Sequence, residues 1–199
     1  MVVDAGLVER LRDALAGRGV TMEYLESGAL AFARLRELVP LGSEVQTGSS
    51  TTLEQIGFIA WLKEHHSAGR LHYFRADVIN NAAERTLNRR LGTLAEYFLG
   101  SVTALTVDGL AVVSDAAGSR LGGYVYSAAR VIWVVGINKI VPTLDDAIRR
   151  VWDVALPLED ARIKSTGGEG SEVGKLAIFY NEAATERIRM LLVGEALGF

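Results

Sequence analysis

The sequence predicts an α/β fold, and three observations carry that prediction. Segments with apolar residues at helical spacing alternate with short apolar, β-rich runs along the chain. Val45 to Gly57 reads as a strand that enters a small-residue turn and then a helix. Val131 to Val135 is a continuous apolar run, the pattern of a central strand buried on both faces. At 199 residues the chain can enclose one substantial core, so a single domain is expected. Residues 1–40 are assigned to an N-terminal helical segment packed on that domain, and 41–199 to the α/β domain proper.

Leu7, Leu11 and Leu15, with Val8 and Ala14, repeat at helical spacing, and Gly17 and Gly19 end that helix before the β-rich Val20 to Tyr24. A second helix spans Gly28 to Leu38 and is stopped by Pro40 and Gly42, after which Glu44 to Gln46 form a short strand. Leu53, Ile56, Ile59, Ala60 and Lys63 fit one helix ending near His65 and His66. Asn81 to Phe98 reads as another, bent near Gly92, with Glu84, Arg85, Arg89 and Arg90 on a polar face. Ser101 to Val107 and Leu110 to Ser114 are β-rich and flank Asp108-Gly109, a pair suited to a type I′ hairpin. Gly118 to Ala129 reads as a small-residue helix. Thr143 caps the helix after the central strand, with Asp145 and Asp146 in its favourable first turn and Ala147, Ile148, Val151 and Val154 as the buried stripe. Pro157 starts a further helical piece, and Ser165 to Gly174, with four glycines, reads as a mobile loop. Leu176 to Tyr180 and Ile188 to Val193 are two late strands.

Composition narrows the chemistry. A net charge of -3 and a pI near 5.7 argue against general binding of nucleic acid or anionic membranes. Without cysteine the chain has no disulfide, no thiolate nucleophile, no Cys-ligated zinc and no iron–sulfur cluster on its own cysteines. Met1 to Glu9 lacks the basic-then-apolar layout of a signal peptide, and Val131 to Ile137 is far shorter than the roughly 20 residues of a spanning helix. A cytoplasmic location is therefore expected.

The segment Thr47-Gly48-Ser49-Ser50-Thr51-Thr52 is the strongest candidate site. A glycine at a strand-to-helix turn lets a ligand approach the backbone, where the first amides of the helix and the hydroxyls can meet an anion. The competing reading is helix initiation, since Thr51 with Glu54, or Thr52 with Gln55, fits a capping box. The loop also lacks the lysine of a nucleotide-binding P-loop. Asp115, Arg120, Asn138 and Lys139 fall at the ends of β segments or at a helix start, where α/β sheets place ligand groups. Asp115 would be the general base, Arg120 and Asn138 substrate contacts and Lys139 a charge stabiliser. Against this stands a structural Asp115–Arg120 pair and a solvated Lys139. Asn80, Asn81, Glu84 and Arg85 read more simply as a capped, solvated helix start.

Other patterns point to structure. His65, His66 and His72 do not share a helical face, so no metal site is expected. Trp61, Trp133 and Trp152 sit in apolar periodic segments, as core or interface residues. The Gly-x-Ser-x-Gly nucleophile motif is absent.

Four segments together resemble one family. Thr47 to Gly57, Ser101-Val102-Thr103-Ala104-Leu105-Thr106-Val107-Asp108-Gly109, Asp115-Ala116-Ala117-Gly118-Ser119-Arg120 and Val134-Val135-Gly136-Ile137-Asn138-Lys139-Ile140-Val141, with the closing Arg187 to Glu195, resemble the LUD-domain family of lactate-utilisation proteins over most of the chain. The resemblance implies a single three-layer domain with a mainly parallel central sheet, similar to the superfamily of ribose-phosphate isomerases, sugar-phosphate deaminases and CoA transferases. It also implies that Thr47-Gly48-Ser49 is the turn that receives a phosphate or carboxylate. A role in using lactate or a related small organic acid is expected, with redox centres on partner subunits. The alternatives are an autonomous isomerase or acyl- or CoA-transfer enzyme, and a non-catalytic assembly subunit; a homo-oligomer is compatible with each. The cofactor is not identified, and neither a metal nor an iron–sulfur cluster is expected on this chain. Two departures stand out. Similar relatives carry a cysteine-rich segment where this chain has Ser165-Thr166-Gly167-Gly168-Glu169-Gly170-Ser171, and an Asp-Gly-Thr where it has Asp115-Ala116-Ala117.

Overall fold

A computed structural model describes residues 4–81 and 83–199. Residues 1–3, at the start read for a signal peptide, and residue 82, inside the segment read as helix, lie outside the described residues. Helices α1 (Ala5–Ala16) and α2 (Gly28–Leu38) begin at Asp4 and Ser27, whose side chains accept from Leu7 N and Leu30 N. Between them β1 (Val20–Leu25) enters the central sheet, so residues 4–40 contribute an edge strand as well as two helices. β2 (Glu44–Thr47), β3 (His72–Tyr73), β4 (Tyr97–Gly100), β7 (Arg130–Gly136) and β10 (Ile188–Val193) complete six parallel strands in the order β1-β10-β7-β4-β2-β3.

Two cores sandwich this sheet and make it a three-layer α/β domain. Because side chains alternate along a strand, Val131, Trp133 and Val135 of β7 face one side and Ile132 and Val134 the other. On the first side they meet Leu7, Leu11 and Leu15 of α1, with Met190 and Leu192 of β10. On the second side they meet Leu35 of α2 together with Leu53 of α3 (Thr51–Gln55) and Phe58 and Leu62 of α4 (Phe58–Ser67). Each such fully buried Leu or Phe contributes about 1.5–3 kcal/mol by leaving water.

A second sheet grows out of the first. β4 continues through Ser101–Thr103 into β5 (Ala104–Thr106), and β7 continues through a 3-10 turn at Ile137–Lys139 into β8 (Ile140–Val141). β6 (Ala111–Asp115) and β9 (Lys175–Phe179) extend it to the order β8-β5-β6-β9, with β5–β8 parallel and the other pairs antiparallel. The α/β expectation is met, and the site falls where β4 and β7 leave the parallel sheet.

Several local expectations need correction. The helix read from Leu53 to His66 is two helices, because Gly57 adopts a left-handed φ of 83° between them. The helix read from Asn81 to Phe98 is only α6 (Arg85–Gly92), preceded by α5 (Phe74–Asn80), and Tyr97-Phe98-Leu99-Gly100 is the fully buried strand β4. The Asp108-Gly109 hairpin is present without a type I′ turn. Gly109 alone of the two has positive φ, Gly109 N donates to Thr106 O at 2.9 Å and Thr106 N to Leu110 O at 2.9 Å, the pattern of a three-residue loop closed by a glycine bulge. Gly118 to Ala129 becomes α7 (Ser119–Gly122) followed by a wide π turn at Gly123–Ser127. A second π turn, Val151–Ala155, joins α8 (Leu144–Arg150) to α9 (Leu156–Ser165) and leaves Val154 exposed. Trp133 is core, whereas Trp152 is half exposed. No helix among the described residues is long and apolar enough to cross a membrane.

The end of β4 is packed without slack. A Cβ added to Gly100 would overlap the Tyr124 hydroxyl, which is buried without a hydrogen-bond partner among the described residues. Gly100→Ala is expected to destabilise the fold by about 1–3 kcal/mol through overpacking, and Tyr124→Phe in the same chain to recover most of that loss. Urea denaturation of the two single variants and the double variant checks the coupling; purely additive effects would contradict this packing.

Candidate active site

At the carboxyl ends of β2 and β4 lies a cleft of roughly 300 Å³, at the lower end of small-molecule pockets. Its walls are the 47–52 loop, the β4–β5 crossover at 101–103, Asp115 and Arg120 from the β6–α7 turn, Lys139, and α9. Thr47, Gly48, Ser49, Ser50, Thr51, Asp115, Arg120 and Lys139 are therefore brought together. Asn138 is not part of the lining. Its side chain points the other way, accepting from Leu197 N at 3.0 Å and donating to Gly198 O at 3.1 Å, and so holds the segment that carries Phe199 onto the cleft.

Most loop hydroxyls already have protein partners. Thr47 Oγ1 lies 2.6 Å from the Tyr73 hydroxyl, Ser49 Oγ accepts from Arg162 at 3.0 Å, and Ser50 Oγ caps α3 by accepting from Leu53 N at 3.3 Å. The cap thus falls on Ser50, ahead of the boxes that begin at Thr51 or Thr52. Burial raises the proton affinity of Tyr73, opposed by its bond to Thr47. Gly48 is needed for a different reason: a Cβ there would collide with the aliphatic stem of Arg120.

Arg120 is fixed from the opposite wall. Asp115, nearly buried, accepts from Gly118 N with one carboxylate oxygen and from Arg120 Nε at 2.7 Å with the other, while Arg120 Nη2 donates to Ser114 O. Both oxygens of Asp115 are engaged, as the structural-pair alternative requires. Glu159 forms a two-pronged pair with Arg162 at 2.7 Å. Arg75 and Arg89 also line the cleft, so its cations outnumber its acids. The solvated helix face expected for Arg89 is thus in part a cleft wall.

Lys139 occupies the least usual environment. Its side chain is 2% exposed, with Nζ 2.9 Å from Ser101 Oγ, 3.2 Å from Thr52 Oγ1 and 3.2 Å from Val102 O. No carboxylate is among these partners. Burial, with the added repulsion of Arg150 and Arg120, pulls its pKa from the ordinary 10.5 down to about 7. Arg150, lowered by burial, donates to Thr103 O at 2.6 Å and to Asn138 O at 3.3 Å. Tyr124 behind the crossover is pushed up to about 12, chiefly by burial. Ser101 and Arg150 escaped sequence reasoning. Their partners lie 38 and 47 residues away, and Ser101 becomes a strand-end residue only once β4 is recognised as a strand. No group of three or more His, Asp or Glu side chains suited to a metal ion occurs among the described residues; His72 instead bonds Asp77 at 2.7 Å and His66 accepts from Tyr73 N.

The cleft thus lies at the carboxyl ends of parallel strands in a three-layer α/β domain, the place where such sheets hold ligand groups. The chain belongs to the LUD-domain family, whose model matches residues 8–166. The family's name, lactate utilisation, supports a role related to that process in general terms. Among solved structures, a DUF162-family protein from Deinococcus radiodurans is similar in fold, with a TM-score of 0.56 at 12% identity over 97% of this chain and 98% of that one. None of the curated proteins matches the chain.

The burial of Lys139 makes stability depend on pH. Between about pH 7 and 10.5 the unfolded chain holds the Lys139 proton more tightly than the folded one, so this group favours folding increasingly as pH rises and the gain is lost as pH falls towards 7. The stability difference between the parent and Lys139→Met should therefore grow in the parent's favour across that window, measured by denaturant unfolding at several pH values; a flat difference would place Lys139 in an ordinary environment. Asp115→Asn leaves Arg120 Nε facing an amide that can present its own donors. It should cost about 1.5–3 kcal/mol in the same assay, the range for hydrogen bonds to charged groups.

Proposed function

We propose that the cleft binds a small carboxylate or phosphate and that the protein serves the use of lactate or a related small organic acid, with redox centres on partner subunits. The observation that carries this reading is the convergence of Arg120, Lys139, Arg75 and Arg89 on one small cleft closed by the 47–52 loop. Several hydroxyls of that loop bond protein groups, so the anion would be held mainly by cations and backbone, and Arg120 is the cation that presses on Gly48. In this reading Asp115 orients Arg120, while Lys139, near neutrality at physiological pH, is the group that moves a proton. The absence of cysteine leaves the chain without cysteine ligands for an iron–sulfur cluster, which favours a division of labour in which electrons are handled elsewhere.

L-lactate, acetate and inorganic phosphate are suitable probes in thermal-shift and calorimetric titrations. A ligand present at a hundred times its Kd should stabilise the fold by about 2.7 kcal/mol. Gly48→Val should abolish that stabilisation, because the new side chain displaces Arg120, while leaving the circular dichroism spectrum unchanged. Equal affinity of parent and variant for the ligand that binds, or stabilisation by none of the three, would sink the assignment.

A further inference from the structure

We infer that Ser101 and Lys139 form a nucleophile and general-base pair for acyl transfer from an ester or thioester. This chemistry lies beyond anion binding and does not depend on it. Ser101 directly follows Gly100, the last residue of β4, at the carboxyl end of an interior strand of the parallel sheet. Ser101 is among the residues that line the cleft, and its hydroxyl lies 2.9 Å from Lys139 Nζ, within the reach that a nucleophile and its base require. Lys139 is in turn held by Val102 O and Thr52 Oγ1, which fulfils the third condition of such sites, a base fixed by further groups.

The hydrogen bonds at Nζ leave room for the base in its neutral form. A neutral amine has two N–H donors and one lone pair. As the side chains stand, Lys139 Nζ donates to Ser101 Oγ, Thr52 Oγ1 and Val102 O, and the Ser101 hydroxyl donates to Val102 O at 3.3 Å; in the neutral amine two N–H groups stay on Val102 O and Thr52 Oγ1, and the lone pair is free to take the Ser101 hydroxyl proton. Burial, with the nearby guanidinium groups of Arg150 and Arg120, keeps a substantial fraction of Lys139 uncharged near pH 7. Ser–Lys pairs recur as nucleophile and base on unrelated folds, because the chemistry needs only this local geometry. Here the residues are separated by 38 positions, so no local serine motif could announce them.

Protons and bonds balance through the cycle. The lone pair of Lys139 Nζ takes the Ser101 proton as Oγ forms a bond to the substrate carbonyl carbon. Collapse of the tetrahedral intermediate breaks the carbonyl bond to the alcohol or thiol, and the Lys139 ammonium returns the proton to the leaving alkoxide or thiolate. The acyl group, now an ester on Ser101, is released when water attacks its carbonyl and gives a proton to Lys139, which passes it to the departing Ser101 oxygen. No oxidant or reductant enters.

The test uses the full chain, a fluorophosphonate as serine-directed probe, and p-nitrophenyl acetate as acyl donor, with adducts mapped by mass spectrometry. One phosphonyl or acetyl adduct is expected on Ser101, absent in Ser101→Ala. In Lys139→Met, shown folded by circular dichroism, the labelling rate should fall roughly 100-fold or more, the usual worth of a general base. A Lys139 that only packs would leave the rate unchanged. The inference is overturned if the parent protein takes no adduct, if the adduct maps to Thr52 or elsewhere, or if the folded Lys139→Met variant labels at the parental rate. Should that variant not fold, the parent and Ser101→Ala decide. Neither assay contains lactate or phosphate as ligand, so failure here leaves the anion-binding titrations to stand or fall separately.

Discussion

The ammonium of Lys139, buried where the two sheets part, is the constraint around which the site is arranged. Removing such a group from water costs several kcal/mol, and among the described residues no carboxylate bonds to Nζ to offset the charge. The offset comes from two hydroxyls and one carbonyl, contributed by α3 and by the β4–β5 crossover. Arg150, at the end of α8, repeats the arrangement, joining Thr103 O of that crossover to Asn138 O of the β7–β8 crossover. Two buried cations thus tie together the places where adjacent central strands leave the main sheet. The cost of burying them is carried by the rest of the core, and its chemical result is a lysine whose proton is easily lost.

The loop and the wall opposite it are linked by contact rather than by charge alone. Asp115 fixes Arg120, and the Arg120 stem lies against Gly48, so the position of the 47–52 loop is set partly from the β6–α7 turn. This explains why a glycine sits at a position with no left-handed backbone. It also shifts the meaning of the hydroxyl-rich sequence. Thr47, Ser49, Ser50 and Thr52 shape the loop through Tyr73, Arg162, the α3 amides and Lys139, and electrostatic attraction in the cleft falls to the cations.

Local signals were legible in the sequence, and distant ones were not. α2 and the Thr143 cap could be read because spacing and capping residues are properties of neighbours in the chain. The short strand β4 was hidden inside an apparent helix, since Tyr97-Phe98-Leu99-Gly100 is apolar throughout and periodicity alone cannot separate a buried strand from a buried helix. Gly57 ended a helix that its apolar spacing continued. In the site, Asp115, Arg120, Lys139 and the loop were named from strand ends and family resemblance, and they do share a cleft. Asn138, adjacent to Lys139, lies outside the lining, because neighbours in a 3-10 turn project in different directions. Ser101 and Arg150 depend on tertiary pairing and had no local signature.

The two π turns have a bearing on how these side chains reach their places. π turns insert a residue into the helical repeat, redirect the chain beyond them, and occur often beside functional sites. Here one succeeds α7, just past Arg120, and the other separates Arg150 at the end of α8 from Glu159 and Arg162 on α9. Val151–Ala155 therefore divides two tasks within one nearly continuous helical segment. On its N-terminal side Arg150 enters the buried seam between crossovers, and on its C-terminal side Glu159 lines the cleft while its partner Arg162 reaches Ser49. A regular helix would carry both groups on a single rotation set by 3.6 residues per turn. With the extra residue, α9 is free to run along the cleft wall while Ala147 of α8 and Val151 of the π turn keep their apolar contacts against Ala104 and Val112 of the second sheet.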